Sequence, residues 1–156
     1  MKKILLLIVS HLFIAIFGFA MGLYTLPILT APDAPDIKAL SMGEQQVLFE
    51  GRFQPDLKDS DFLHKGDGVL KVGSKRVVFE GQISPGPDYI LYLSPEMVEI
   101  KVDFLRLKAD MVQVGAVKTF DNFVVEMPAH INPADYKAAI VWCESFGVFI
   151  TAGAYQ

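Results

Sequence analysis

The sequence predicts an all-β domain, an antiparallel sandwich or flattened barrel, preceded by one N-terminal transmembrane helix. Three observations carry this expectation. An uncharged apolar run extends from Ile4 to Leu29. Beyond it, Gly and Pro punctuate the chain about every eight to twelve residues. Between these breaks the runs are rich in Val, Ile, Phe and Tyr, residues that suit a pleated, half-buried surface.

At about 1.5 Å per residue, roughly 20 residues cross a hydrocarbon core of about 30 Å, so the Ile4–Leu29 run can span even if Pro27 ends the helix early. Ser10 and His11 interrupt it; His11 reads either as a functional group within the membrane or as a tolerated residue on a helix face. Gly18-Phe19-Ala20 resembles a small-x-small signal cleavage site. A cut there would leave an exported chain starting MGLYTLPIL, which is awkward for a soluble protein, so residues 1–29 are read as an uncleaved signal-anchor. Lys2 and Lys3 precede the run and no basic residue follows before Lys38. The positive-inside rule therefore keeps the N-terminus cytoplasmic and sends the body to the periplasm or cell exterior as a single-pass membrane protein.

The sequence TAPDAPDI, from Thr30 to Ile37, is small, Pro-rich and acidic, so residues 30–40 are read as a tether. Residues 41–156 then form the body. Of 14 basic residues two precede the anchor, and the remainder against 18 acidic ones leave a net charge of −6. With a pI near 5.3 and no basic stripe, nucleic acid is excluded as a partner. The mean hydropathy of +0.36 instead points to the lipid bilayer as one partner.

Within the body, VLFEGRF (47–53) alternates, with Val47, Phe49, Gly51 and Phe53 on one face. Val69–Val72 and Arg76–Glu80 flank Gly73-Ser74-Lys75, a hairpin in which glycine is expected to take positive φ. Tyr89–Leu93 is nearly all apolar, as a strand covered on both faces would be. Phe123–Met127 follows the turn pair Asp121-Asn122 and stops at Pro128. Asn132-Pro133-Ala134-Asp135 reads as an N-cap, a first-turn proline and a first-turn acid, hence one short helical turn. Ala138–Ala152 is apolar and broken at Gly147, so it forms two strands or one bent strand. Few helices are expected.

Cys143 is the only cysteine, which excludes a disulfide scaffold. Three readings stand open for it. It is a small buried hydrophobe, a reactive thiol that needs exposure and a lowered pKa, or a thiolate ligand to haem or another redox group. Period-two alternation puts Cys143 with Val141 and Ser145, opposite Trp142 and Glu144; a nearby Glu144 would raise the thiol pKa. His64 and His130 are the body's only histidines, and each reads as a base or axial ligand near Cys143 or as a loop residue. The absence of C-x-x-C-H excludes ordinary covalent c-type haem. Asp56, Asp59 and Asp61 lack EF-hand spacing and read as solvated loop charge, and no metal site is expected. Asp88, after Gly86-Pro87, is expected to accept backbone N–H bonds at a tight turn.

Taken in order, several pieces are similar to one family. They are Phe49-Glu50-Gly51-Arg52-Phe53, Phe62-Leu63-His64-Lys65-Gly66-Asp67-Gly68, Phe79, Gly86-Pro87-Asp88 before Tyr92-Leu93, and Gly115-Ala116-Val117-Lys118. Asn122-Phe123 through Pro128, Tyr136, and Val141-Trp142-Cys143-Glu144-Ser145-Phe146-Gly147 complete the set. From about Phe49 to Ala152 the chain resembles the electron-transfer DM domain, thirteenth of its series, an exported module found beside DOMON and cytochrome b-type domains. The resemblance implies a mostly β fold and a redox role for Cys143, as a bare thiol or through a bound group such as haem. The residues around Cys143 add Trp142 and His64 as side chains expected to shape that site and to bind any cofactor in it. This sequence carries one such module on one anchor, so the resemblance also implies a redox partner protein. A non-catalytic binding module with a structural cysteine is the competing expectation.

Overall fold

The computed structural model of the chain describes residues 1–36 and 46–156. The expected start of the body at residue 41 and the end of the expected tether lie outside the described residues. The N-terminal helix α1 runs Lys2–Thr30. It continues past Pro27, and it is long and apolar enough to cross a membrane. Ser10 and His11 are both satisfied inside it, bonding the Leu7 carbonyl at 2.9 and 2.8 Å.

Eight strands build the body: β1 (Val47–Phe53), β2 (Gly66–Gly73), β3 (Arg76–Ile83), β4 (Tyr89–Ser94), β5 (Val112–Val117), β6 (Asp121–Glu126), β7 (Ala138–Cys143) and β8 (Val148–Ala154). They form two four-stranded antiparallel sheets, ordered β1-β2-β3-β6 and β5-β4-β7-β8. The result is an open sandwich, as expected, and not a closed barrel. Its sheets approach at both edges, where β1 meets β8 and β5 meets β6. The β1–β8 approach needs glycine: a Cβ on Gly51 would lie 2.4 Å from the Ala154 carbonyl oxygen.

The hydrophobic core between the sheets holds Phe53, Leu70, Val72, Val77, Phe79, Leu91, Val141, Cys143 and Ile150. Phe79 touches both Phe53 and Phe123, with ring centroids 5.0 and 4.8 Å apart. A second apolar layer lies outside the second sheet, where helix α2 (Lys101–Leu107) covers Tyr92, Ile140, Trp142 and Phe149. β7 is thus buried on both faces, which explains its unbroken apolar sequence. β4 beside it is also interior to the sheet and almost wholly buried.

Local expectations fare unevenly. The Ala138–Ala152 run is two strands joined at Gly147, whose φ is +58°. Asn132 caps the 3-10 turn Pro133–Asp135 through its side chain, which accepts from the Ala134 N–H. Two expectations are corrected. In the β2–β3 hairpin, Gly73 stays in the strand without positive φ, and the turn is Ser74-Lys75 alone. Asp121-Asn122 belongs to β6 rather than preceding it, with Asn122 at φ +45°. On β1 only Phe53 is fully buried; Phe49 packs at the core margin and Val47 is exposed beside a bulge. Helix α2 and strand β5 were not expected.

Candidate functional site

Cys143 ends β7 on the inward face, in register with Tyr89 of β4. Alternation along β7 sends its side chain toward the other sheet and that of Trp142 toward α2, as the sequence pattern predicts. The thiol is 2% exposed, and its Sγ donates to the Pro87 carbonyl oxygen at 3.0 Å. Burial pushes the thiol above its ordinary pKa. The N–H groups of Phe146 and Ser145 oppose that shift, whereas Asp88 and Glu144 add to it. At neutral pH the sulfur therefore keeps its proton, and the resting thiol has neither the exposure nor the lowered pKa expected of a reactive one.

Cys143 nevertheless borders open space. A largely apolar cavity of about 350 Å³ is lined by Cys143, His64, Pro87, Tyr89 and Phe146, and on its other side by Tyr24 of α1. The structure thus brings Cys143 and His64 to one cavity, which their separation in sequence did not reveal. The His64 loop is held by Asp61, whose carboxylate accepts from the Leu63 and His64 N–H groups at 2.7 and 2.8 Å. The same carboxylate meets His64 Nδ1 at 2.9 Å, and that bond holds Asp61 below the usual carboxylate range. With Nδ1 committed as a donor, Nε2 is the acceptor of the neutral ring.

The roof of the cavity is the Pro85–Asp88 loop, of which Pro85, Gly86 and Pro87 line the cavity itself. Three hydrogen bonds tie it to the β7–β8 turn: Cys143 to Pro87, the Glu144 N–H to the Asp88 carbonyl at 3.1 Å, and Ser145 Oγ to Asp88 Oδ2 at 2.6 Å. The Asp88 side chain thus accepts a hydroxyl, not the expected backbone N–H bonds. Its φ of +56° turns the chain sharply into β4. Tyr89 lies under this roof, and burial raises its phenol, followed by the influence of Cys143 and Tyr24.

Trp142 does not line the cavity. It stacks on Phe104 of α2, with ring centroids 4.0 Å apart and an interplanar angle of 8°. Lys108 Nζ sits 5.6 to 5.8 Å from the ring centroids of Phe104, Tyr92 and Trp142. It also bonds both Glu144 oxygens at 2.9 Å. Tyr92 donates its hydroxyl to Glu144 and accepts from Gln113 at 2.6 Å. Burial disfavours the charged carboxylate, but the bonds from Tyr92 and Lys108 outweigh it and hold Glu144 below its ordinary range. The indole N–H of Trp142 also favours the charged form without reaching hydrogen-bond geometry. This network backs the strand that carries Cys143 from behind.

The remaining candidates lie elsewhere. His130 is exposed in the β6–β7 connection and does not line the cavity. Asp59 caps α2 by accepting from the Lys101 N–H at 2.6 Å, and Asp61 holds the His64 loop, so both carboxylates serve the fold. Among the described residues, no three His, Cys, Asp or Glu side chains gather as a metal site. Tyr24, Tyr89 and Lys108 were not singled out from sequence; the positive-inside pattern and the apolar runs carry no signal of such long-range meetings.

Compared with known proteins, the chain matches a family model described as Electron transfer DM13 over residues 56–155. No curated protein and no solved structure matches. The match takes in the His64 loop, the Pro85–Asp88 roof and Cys143, and it spans well over half of the sequence, so the chain belongs to the electron transfer DM13 family.

Proposed function

We propose that this chain is a membrane-anchored, extracytoplasmic electron-transfer domain whose working group is the Cys143 thiol. In this reading residues 1–29 anchor the protein with the N-terminus cytoplasmic, residues 30–40 tether, and residues 41–156 face the periplasm or cell exterior. One observation carries it: the single thiol, set in a strand otherwise closed into core, borders an apolar cavity that also holds a histidine. His64 lines the thiol's cavity beside the phenols of Tyr24 and Tyr89, and Trp142 positions Cys143 by fixing β7 against α2.

The chemistry suited to a lone thiol is exchange with a disulfide on a partner protein. Cys143 gives up its proton and attacks one sulfur; the partner's S–S bond breaks, a mixed disulfide forms, and the partner's second sulfur leaves as thiolate and takes a proton. Burial makes the first deprotonation the uphill step. A haem thiolate does not fit the sulfur as placed. Sγ spends its proton on the Pro87 oxygen, and the charges that influence it are those of Asp88 and Glu144 rather than of a cation. The 2% exposure of Cys143 favours a second reading, a binding module in which the cysteine is structural.

Treating the purified full chain in phosphatidylcholine nanodiscs with dimethyl disulfide separates these readings. The expected result is one methylthio adduct without denaturant, absent from Cys143→Ser, in a protein with no Soret band. An adduct formed only in urea supports the structural cysteine, and a Soret band would replace thiol exchange with haem ligation.

A further inference from the structure

The body carries an apolar rim around the point where α1 meets it. Phe62 is 86% exposed, Phe146 53% and Leu63 46%. Leu63 and Phe146 line the Cys143 cavity together with Ala20, Leu23 and Tyr24 of α1. Phe62 and Leu63 line an adjoining groove that again includes Tyr24. Large apolar side chains that stand this far into solvent, around two adjoining openings that share Leu63 and Tyr24, mark an interaction surface.

The length of α1 says what covers it. At about 1.5 Å per residue its 29 residues extend about 43 Å, matching a hydrocarbon core of about 30 Å plus the headgroup layers. Counted from Ile4, about 20 residues bring the chain to Leu23 at the outer edge of the core. Ala20, Leu23 and Tyr24 therefore lie where hydrocarbon gives way to headgroups, the depth at which tyrosine is enriched. Body residues that share a cavity with them stand at the same depth.

We infer that the body lies on the outer bilayer surface through Phe62, Leu63 and Phe146, so that the Cys143 cavity opens within the headgroup layer. The inference rests on the anchored reading above. It places the opposite end of the first sheet in water: the Ser74-Lys75 turn follows the far end of β2, about 23 Å along the strand from Gly66. A ligand or partner group that reaches Cys143 through this opening arrives through the lipid headgroups.

Single cysteines replacing Phe62, Phe146, Ser74 and Phe13, each in a Cys143→Ser background, are labelled with an environment-sensitive fluorophore. The full chains are placed in phosphatidylcholine vesicles containing lipids with a nitroxide near the headgroup. Retained Trp142 emission certifies the fold, and Cys143→Ala replaces the background wherever serine disturbs it. The expected result is quenching at 62 and 146 at least threefold stronger than at 74, with the helix label at 13 shielded from aqueous quenchers. Equal quenching at 62, 146 and 74 beside a shielded helix label overturns this inference alone. A helix label open to aqueous quenchers overturns the anchor and this inference together.

Discussion

Cys143 and Pro87 are joined by a hydrogen bond in which Sγ donates to the carbonyl oxygen at 3.0 Å, tying β7 to the loop that roofs the cavity. The bond uses the thiol's only proton and leaves the sulfur protonated at rest. Cys143→Ser retains a donor at this place; Cys143→Ala leaves the Pro87 oxygen unpaired, which costs about 1–2 kcal/mol. Urea unfolding should therefore rank wild type and the serine variant above alanine. An alanine variant as stable as serine would show that the bond contributes nothing.

Glu144 gathers Tyr92 and Lys108 on the far side of the same strand. Its folded pKa lies below its unfolded value, so its contribution is present above about pH 4.3 and is lost as pH falls through the folded value. Glu144→Gln should lower stability at neutral pH by about 1 kcal/mol, since the pair is partly solvated, and should flatten the acid limb of the stability curve. Parallel acid limbs in wild type and variant would contradict this.

Tyr155 works at the other extreme of pH. Its hydroxyl donates to the Pro133 carbonyl oxygen at 3.0 Å, and burial raises its pKa well above the ordinary phenol. A raised folded pKa means stability that is complete below about pH 10, the unfolded value, and lost as pH climbs toward the folded one. Tyr155→Phe should cost about 1 kcal/mol at pH 7 and make the alkaline limb shallower, measured by denaturant titration across pH. Tyr89 titrates in the same sense, so the limb should not vanish.

Phe104 holds α2 on the sheet through its stack with Trp142, and both rings are buried. Phe104→Ala should cost about 3–5 kcal/mol. Because Trp142 is the only tryptophan, its emission reports the change directly and should shift to longer wavelength as water reaches the indole. An unchanged emission with unchanged stability would mean that α2 is not what covers Trp142.

What could be read from the sequence follows a physical divide. Strict alternation needs only near neighbours, and it placed Cys143 and Trp142 on opposite faces of β7. Local turn chemistry likewise marked Gly147 and the Asn132 cap. Helix α2 escaped because two turns of helix give a weak period, Phe104 and Leu107 being its only buried positions, and because its N-terminal cap, Asp59, lies 42 residues upstream. Gly73 misled because the strand pairing extends through it, to Val47 on one side, and leaves no positive φ to fill. The meeting of His64 with the Cys143 cavity depends on a loop set by Asp61 and a roof set by Asp88, and neither has a periodic signature.

Alkylation of Cys143 in the intact chain held in a bilayer, followed by mass spectrometry across pH, decides whether the thiol can be reached in the folded protein. If the thiol serves through the cavity, a small alkylating reagent modifies every molecule without denaturant, with a rate midpoint above the ordinary thiol value of about 8.5. A chain that gains no mass at any pH until urea unfolds it would reduce Cys143 to core packing and contradict the account.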